Sequence, residues 1–178
     1  GASSQGSGSI AIGMNAGYTG QSNASIAIGI AAGYSSQGTG CVSIGYNSGY
    51  SSQGYSAVAL GKNAGYTSQG TGAVALGNTT GNNTQGTGAI AIGDSSGYCG
   101  QGVSAISIGI QAGYSSQGTA AIAIGYKAGY TGQPANSIII NATTGTVNIA
   151  ANSCIITPIR NDNLSSNVLL YDSASGEI

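Results

Sequence analysis

Branched aliphatic residues occur in this chain as pairs separated by one residue, and the pairs return every 16 residues. They are Ile10 and Ile12, Ile26 and Ile28, Val42 and Ile44, Val58 and Leu60, Val74 and Leu76, Ile90 and Ile92, Ile106 and Ile108, Ile122 and Ile124, then Ile138 and Ile140. None of these eighteen positions is polar. Large and small side chains alternate through each pair, the period-2 signature of a strand with one face filled by branched aliphatics. The expectation is that each pair points into a shared dry interior. The small face, with Cys41, Ser43, Ala57, Ala59, Ala73 and Ala75, would then face outward and let neighbouring walls approach closely.

Other landmarks keep the same step. Gln recurs at 5, 21, 37, 53, 69, 85, 101, 117 and 133 with no insertion or deletion, and Gly closes the aliphatic run at 13, 29, 45, 61, 77, 93, 109 and 125. A Gly-Tyr pair follows at the same spacing, from Tyr18 to Tyr130, with Asn82 the single exception among the tyrosines. The unit reads Q-G-T-G-A-I-A-I-G-x-x-A-G-Y-S-S. A fixed period of this kind is the mark of a solenoid, in which each unit stacks on the next. Two strands per coil are expected, one at the aliphatic pair and a shorter one in A-G-Y-S-S, separated by turns at G-x-x and Q-G-T-G. The closing Gly suits a corner with positive φ, where Asn is tolerated next best, and Asn141 stands at that offset in the ninth unit.

The period predicts an all-β parallel solenoid of about eight 16-residue repeats over residues 1–134, followed by a β-rich C-terminal cap or neck over 135–178. In that second part short strands are expected at Thr146 to Ala150, Cys154 to Ile159 and Asn167 to Tyr171. Gly does not recur every third residue, which excludes collagen. A disordered linker has no physical reason to hold aliphatics at two fixed offsets through nine units.

Composition removes several function classes. Three Lys or Arg against four Asp or Glu give a formal charge of −1, so nothing attracts nucleic acid or an anionic membrane. No apolar run approaches the roughly 20 residues of a membrane-spanning helix, so membrane insertion is not expected. There is no His, and Asp94, Asp162, Asp172 and Glu177 do not cluster in sequence, which argues against an enzyme, a metal site or a bound cofactor. Cys41, Cys99 and Cys154 are an odd number without CxxC spacing and read as unpaired small residues.

Two large aliphatics per coil are few for ordering 16 residues, so association of identical chains along the rod is the expected remaining source of stability. The units SIAIG at Ser9 to Gly13, AVALG at Ala57 to Gly61 and AIAIG at Ala89 to Gly93 resemble the head repeats of YadA-type trimeric autotransporter adhesins. That resemblance covers residues 9 to about 140 and implies a left-handed parallel β-roll assembled side by side as a homotrimer. The commonest adhesin repeat has 14 residues, and the GYSSQG segment lengthens each coil here. After residue 134, SIIINATTG followed by PIRND, SSNVLLYD and SGEI is similar to the segment before the cleaved intramolecular chaperone of phage and giant-virus fibre proteins. That similarity implies a virus-borne trimeric fibre with Glu177 and Ile178 near a processing boundary. No coiled-coil heptads continue from residue 140 into an adhesin stalk.

The expected role is therefore structural and attachment: an extracellular or virion-surface fibre acting as a rigid spacer, with a host glycan or cell-envelope receptor as partner. A bacterial adhesin head is the alternative. Ice binding is a third reading, from the column Ser35, Ser51, Thr67, Ser115 and Thr131. Seven tyrosines at one offset should stack along the rod, serving either packing or a sugar-binding platform. Sequence variation concentrates at the two x positions after the closing Gly, and Tyr46, Lys62, Tyr126 and Lys127 are the candidates there for outward-facing contacts.

Overall fold

A computed structural model describes residues 3–149 and 153–158. The chain is an all-β parallel solenoid of about nine coils of 16 residues, with two strands in each coil. The aliphatic strands form a ten-stranded parallel sheet, from Ile10–Ile12 to Cys154–Thr157, in which Val58 pairs with Val74 and Val74 with Ile90. The second strands run from Ser3–Gln5 to Cys99–Gln101 in a seven-stranded parallel sheet, and Ser115 and Thr131 continue it as single bridges. Every pairing within these strands joins residues one repeat apart.

The side chains are arranged oppositely to the expectation. None of the eighteen paired aliphatics is buried in the chain: Ile28, Ile92 and Ile124 are half-buried, and Leu60 and Leu76 are exposed. The residue between each pair faces inward instead. Ala27, Ser43, Ala59, Ala75, Ala91, Ser107 and Ala123 are fully buried, as are Ser25, Cys41, Ala57, Ala73, Ala89, Ala105 and Ala121 at the start of the strand. The alternation is real, but size rather than hydrophobicity decides which face goes in. The two walls nearly touch: a β-carbon added to Gly81 would lie 3.1 Å from the Ala75 methyl and 2.8 Å from Gln85 Oε1. Such a gap has no room for Leu or Ile.

The largest recurrent interior side chain is the landmark Gln. Gln21, Gln37, Gln53, Gln69, Gln85, Gln101, Gln117 and Gln133 are all at most 3% exposed. Each carboxamide reaches across the coil to the aliphatic strand. Gln85 Nε2 donates to the carbonyls of Val74 at 2.7 Å and Ala89 at 3.2 Å, and Gln101 Nε2 repeats this with Ile90 and Ala105. Where Ser replaces the inward Ala, its hydroxyl satisfies the remaining oxygen: Ser43 Oγ donates to Gln53 Oε1 at 2.7 Å and Ser107 Oγ to Gln117 Oε1 at 2.6 Å. Opposite Ala, at Gln21, Gln37, Gln85 and Gln101, Oε1 is buried without a partner.

Glycine richness here encodes sharp turning. The coil from Gly45 to Leu60 turns through five positive-φ residues, Gly45, Asn47, Gly49, Ser52 and Ser56. Gly45 has φ 132°, and a β-carbon there would fall 2.6 Å from the Gly61 carbonyl oxygen, so both conformation and close stacking require Gly. The parallel with Asn141 does not hold: Asn141 is not among the positive-φ residues and lies in strand Ile138–Asn141. Its carboxamide ties the next turn, donating to Tyr126 and Gly145 carbonyls, both at 2.7 Å, and accepting from the Thr143 backbone N–H at 2.9 Å.

The long sheet crosses residue 134 without a break. Ile138–Asn141 pairs with Ile122–Gly125, and Cys154–Thr157 pairs with Ile138–Asn141 at the same 16-residue step. Val147, where a strand was expected, forms an isolated bridge to Ala128. The strand expected at Asn167 to Tyr171, and Asp162, Asp172 and Glu177, lie outside the described residues.

Candidate functional site

The variable corner and the tyrosines occupy one edge of each coil, in the order closing Gly, x, x, small residue, Gly, Tyr. The small residue points inward: Ala32, Ser48, Ala64, Thr80, Ser96, Ala112 and Ala128 are all fully buried. The second x residue is left-handed throughout, with φ between 50° and 58° at Asn15, Ala31, Asn47, Asn63, Thr79, Ser95, Gln111 and Lys127. Variation at this position is therefore conformationally constrained. Thr79 is the costliest occupant, because a β-branched residue is disfavoured at positive φ.

The tyrosines stack as the spacing implies. Ring centroids are 5.0 Å apart for Tyr18 and Tyr34, 4.8 Å for Tyr34 and Tyr50, and 4.9 Å for Tyr50 and Tyr66, with interplanar angles of 12°, 5° and 15°. Tyr98, Tyr114 and Tyr130 form a second stack at 5.0 Å. The Tyr114 phenol is pushed above its ordinary value, first by desolvation and then by repulsion from negative charge on the neighbouring Tyr98, Tyr130 and Cys99 as they ionise. Burial likewise raises the Cys41 thiol, whose Sγ donates to the Gly54 carbonyl.

The ladder breaks at Asn82. Its carboxamide folds back so that Nδ2 donates to the Asn63 carbonyl at 3.0 Å. A cleft of about 270 Å³ opens there, lined by Asn47, Asn63, Tyr66, Thr79, Asn82 and Tyr98. Asn63 Oδ1 is buried and has no hydrogen-bond partner; the other buried, unpartnered side-chain atoms among the described residues are glutamine oxygens inside the coil.

The four residues proposed from sequence lie on this corner but form no common site. Tyr46 and Lys62 occupy the same column in consecutive coils and are exposed, Tyr46 at 50%. Tyr126, 39% exposed, lies four coils beyond Lys62. Lys127 is half-buried, its Nζ 5.2 Å from the Tyr126 ring centroid and 5.5 Å from that of Tyr130, so its cation is held by the chain's own aromatics. Between Lys62 and Tyr126 the column carries Asn78, whose Nδ2 donates to Asp94 Oδ1 at 2.7 Å. Among the described residues no three His, Cys, Asp or Glu side chains come together. Sequence reasoning did not find the cleft. Its signal was present in Asn82, the one break in the tyrosine series.

No family model, curated protein or solved structure matches the chain.

Proposed function

We propose that this chain is one strand of a trimeric extracellular or virion-surface fibre, a structural and attachment protein rather than an enzyme. The observation that carries the reading is the outward aliphatic ladder. Nine successive strands of the long sheet each place two branched side chains on its outer face, including Leu60 at 40% exposure and Leu76 at 39%. A continuous apolar stripe of this kind on a soluble rod calls for a partner. Covering it along its whole length requires a surface with the same 16-residue spacing and the same length, which a second copy of this chain supplies.

Three copies follow from the resemblance to the YadA-type head repeats, and the virion-surface setting from the similarity of the C-terminal segment to fibre proteins; a bacterial adhesin head would use the same association. The Thr and Ser column gives ice binding little support. The short strands bend at their central residue, with Ser36, Ser52, Ser68 and Thr84 at φ 53° to 58°, so that wall is not a flat lattice.

Sedimentation equilibrium tests the proposal directly. The expected mass is three times the 17.1 kDa chain. Leu60→Asp combined with Ile92→Asp should release monomers that keep their β circular dichroism, because neither side chain enters the coil. A wild-type monomer at micromolar concentration overturns the reading.

A further inference from the structure

We propose that the break in the tyrosine ladder is a binding slot for one neutral pyranose ring of an oligosaccharide. This gives the attachment role proposed above a ligand class and rests on that role. The slot is built from six residues of successive coils and is tested separately from trimerisation.

The argument begins with geometry. Tyr66 and Tyr98 are two repeat steps apart, roughly 10 Å at the solenoid spacing, and each stacks on a tyrosine only on its far side. The Asn82 side chain that stands between them is turned onto the Asn63 backbone. One ring is missing from an otherwise continuous stack, and the cleft of about 270 Å³ lies at that level. A saturated sugar ring presents C–H faces on both sides and hydroxyls around its edge, which suits an aromatic slot with a polar rim.

The rim supplies the polar part. Asn47, Asn63, Thr79 and Asn82 make four of the six lining residues polar, and no lining residue is charged. Asn63 Oδ1 is a buried acceptor without a donor, and a sugar hydroxyl is the kind of donor it lacks. Neutral lining favours a neutral hexose or N-acetylhexosamine over an acidic sugar. An aromatic side chain from a peptide would fill the stack but would leave the polar rim unmatched.

The departures from the repeat also converge on this place. The consensus Tyr is replaced by Asn82, the inward Ala or Ser by Thr80, and the left-handed corner is given to Thr79 at φ 50°. Thr79 is held there by hydrogen bonds from Oγ1 to the Asn78 carbonyl at 2.8 Å and with Ser95 Oγ at 3.0 Å.

The test is saturation-transfer NMR on the full chain with glucose, galactose, mannose, N-acetylglucosamine and N-acetylgalactosamine at millimolar concentration, with N-acetyltyrosine amide as the aromatic control. At least one sugar should receive saturation. Asn82→Tyr, which restores the residue found in the other coils and should fold at least as well, should reduce that signal at least tenfold with the solution mass unchanged. Asn63→Gly, which keeps the left-handed backbone, should weaken it. Sugar binding unaltered by Asn82→Tyr, no sugar bound by wild type, or binding of the tyrosine amide alone would each overturn the proposal. The fibre reading stands or falls separately, on the mass.

Discussion

Ala75 separates the observed arrangement from its inverse with one position and two substitutions. Its methyl lies inside the coil, fully buried, facing Gly81 and the carboxamide of Gln85. Ala75→Leu adds three carbons to a space already at contact distance. Overpacking of this kind costs roughly 1–3 kcal/mol. Displacing Gln85 would also break its hydrogen bonds to Val74 and Ala89, at roughly 0.5–1.5 kcal/mol each. The expected loss is about 4 kcal/mol. Ala75→Ser should act in the opposite direction. It reproduces the pairing of Ser43 with Gln53 and gives the unpartnered Gln85 Oε1 a donor, for a gain of about 1 kcal/mol. Guanidinium unfolding followed by circular dichroism, at one fixed protein concentration, measures both. If the aliphatics pointed inward, Ala75 would be an outer position and Ala75→Leu would change little. A Leu variant within about 0.5 kcal/mol of wild type refutes the small-residue interior.

The glycines divide by surroundings. Gly45→Ala, at φ 132° and 2.6 Å from the Gly61 carbonyl oxygen, should cost about 3 kcal/mol in the same unfolding assay. Gly72→Ala, with open space around it and with Ala24 and Ala120 at the equivalent place in other coils, should cost no more than about 1 kcal/mol. Of the three free cysteines, exposed Cys154 should be labelled by maleimide in the native protein, whereas buried Cys41, its thiol pushed up by burial, should react only on unfolding; peptide mass mapping reads both. Tyr114 favours its neutral form in the fold. Its contribution to stability is therefore intact below the ordinary phenol value of about 10 and is lost as pH rises through the elevated one. Melting temperature should fall across that alkaline window, and less steeply in Tyr114→Phe.

Periodicity made the fold legible, because a stacked strand forces side chains at one offset into a column. The tyrosine stack and the two strands per coil follow from that alone. The inward face did not follow, because alternation defines two faces without saying which is inside, and the habit of burying the larger aliphatics fails when the walls are separated by little more than a methyl group. A signal was available. The position between the aliphatics is Ala or Ser in eight successive coils, while its neighbours exchange Ile, Val and Leu freely. A packed interior tolerates such exchange poorly, whereas an outer face tolerates it well. The cleft was legible only as the exception at Asn82. That Asn47, Asn63 and Thr79 meet it depends on the corner's left-handed geometry, which spacing does not encode.

The same limit on interior size accounts for the change in sequence near residue 138. A solenoid of Ala, Ser and Gln coils can continue indefinitely, since each coil offers the next a complementary surface. Ending it requires that surface to be covered. At Ile139 the inward position becomes large for the first time and is still fully buried, packed with Ala112, Ala123 and Ala128 while Val147 and Ile149 close against the cluster. The chain departs from its regular path here: Asn141 pins the turn through Gly145, and Asn148 Oδ1 accepts from the Thr131 backbone N–H at 3.0 Å. Among the described residues, the buried hydrophobic clusters upstream consist of alanines alone, and a large aliphatic joins such a cluster at Ile139. Upstream of that point the paired aliphatics have no interior to occupy, and the inside of the coil is held by buried Ala, Ser and Gln and the hydrogen bonds of the glutamine carboxamides.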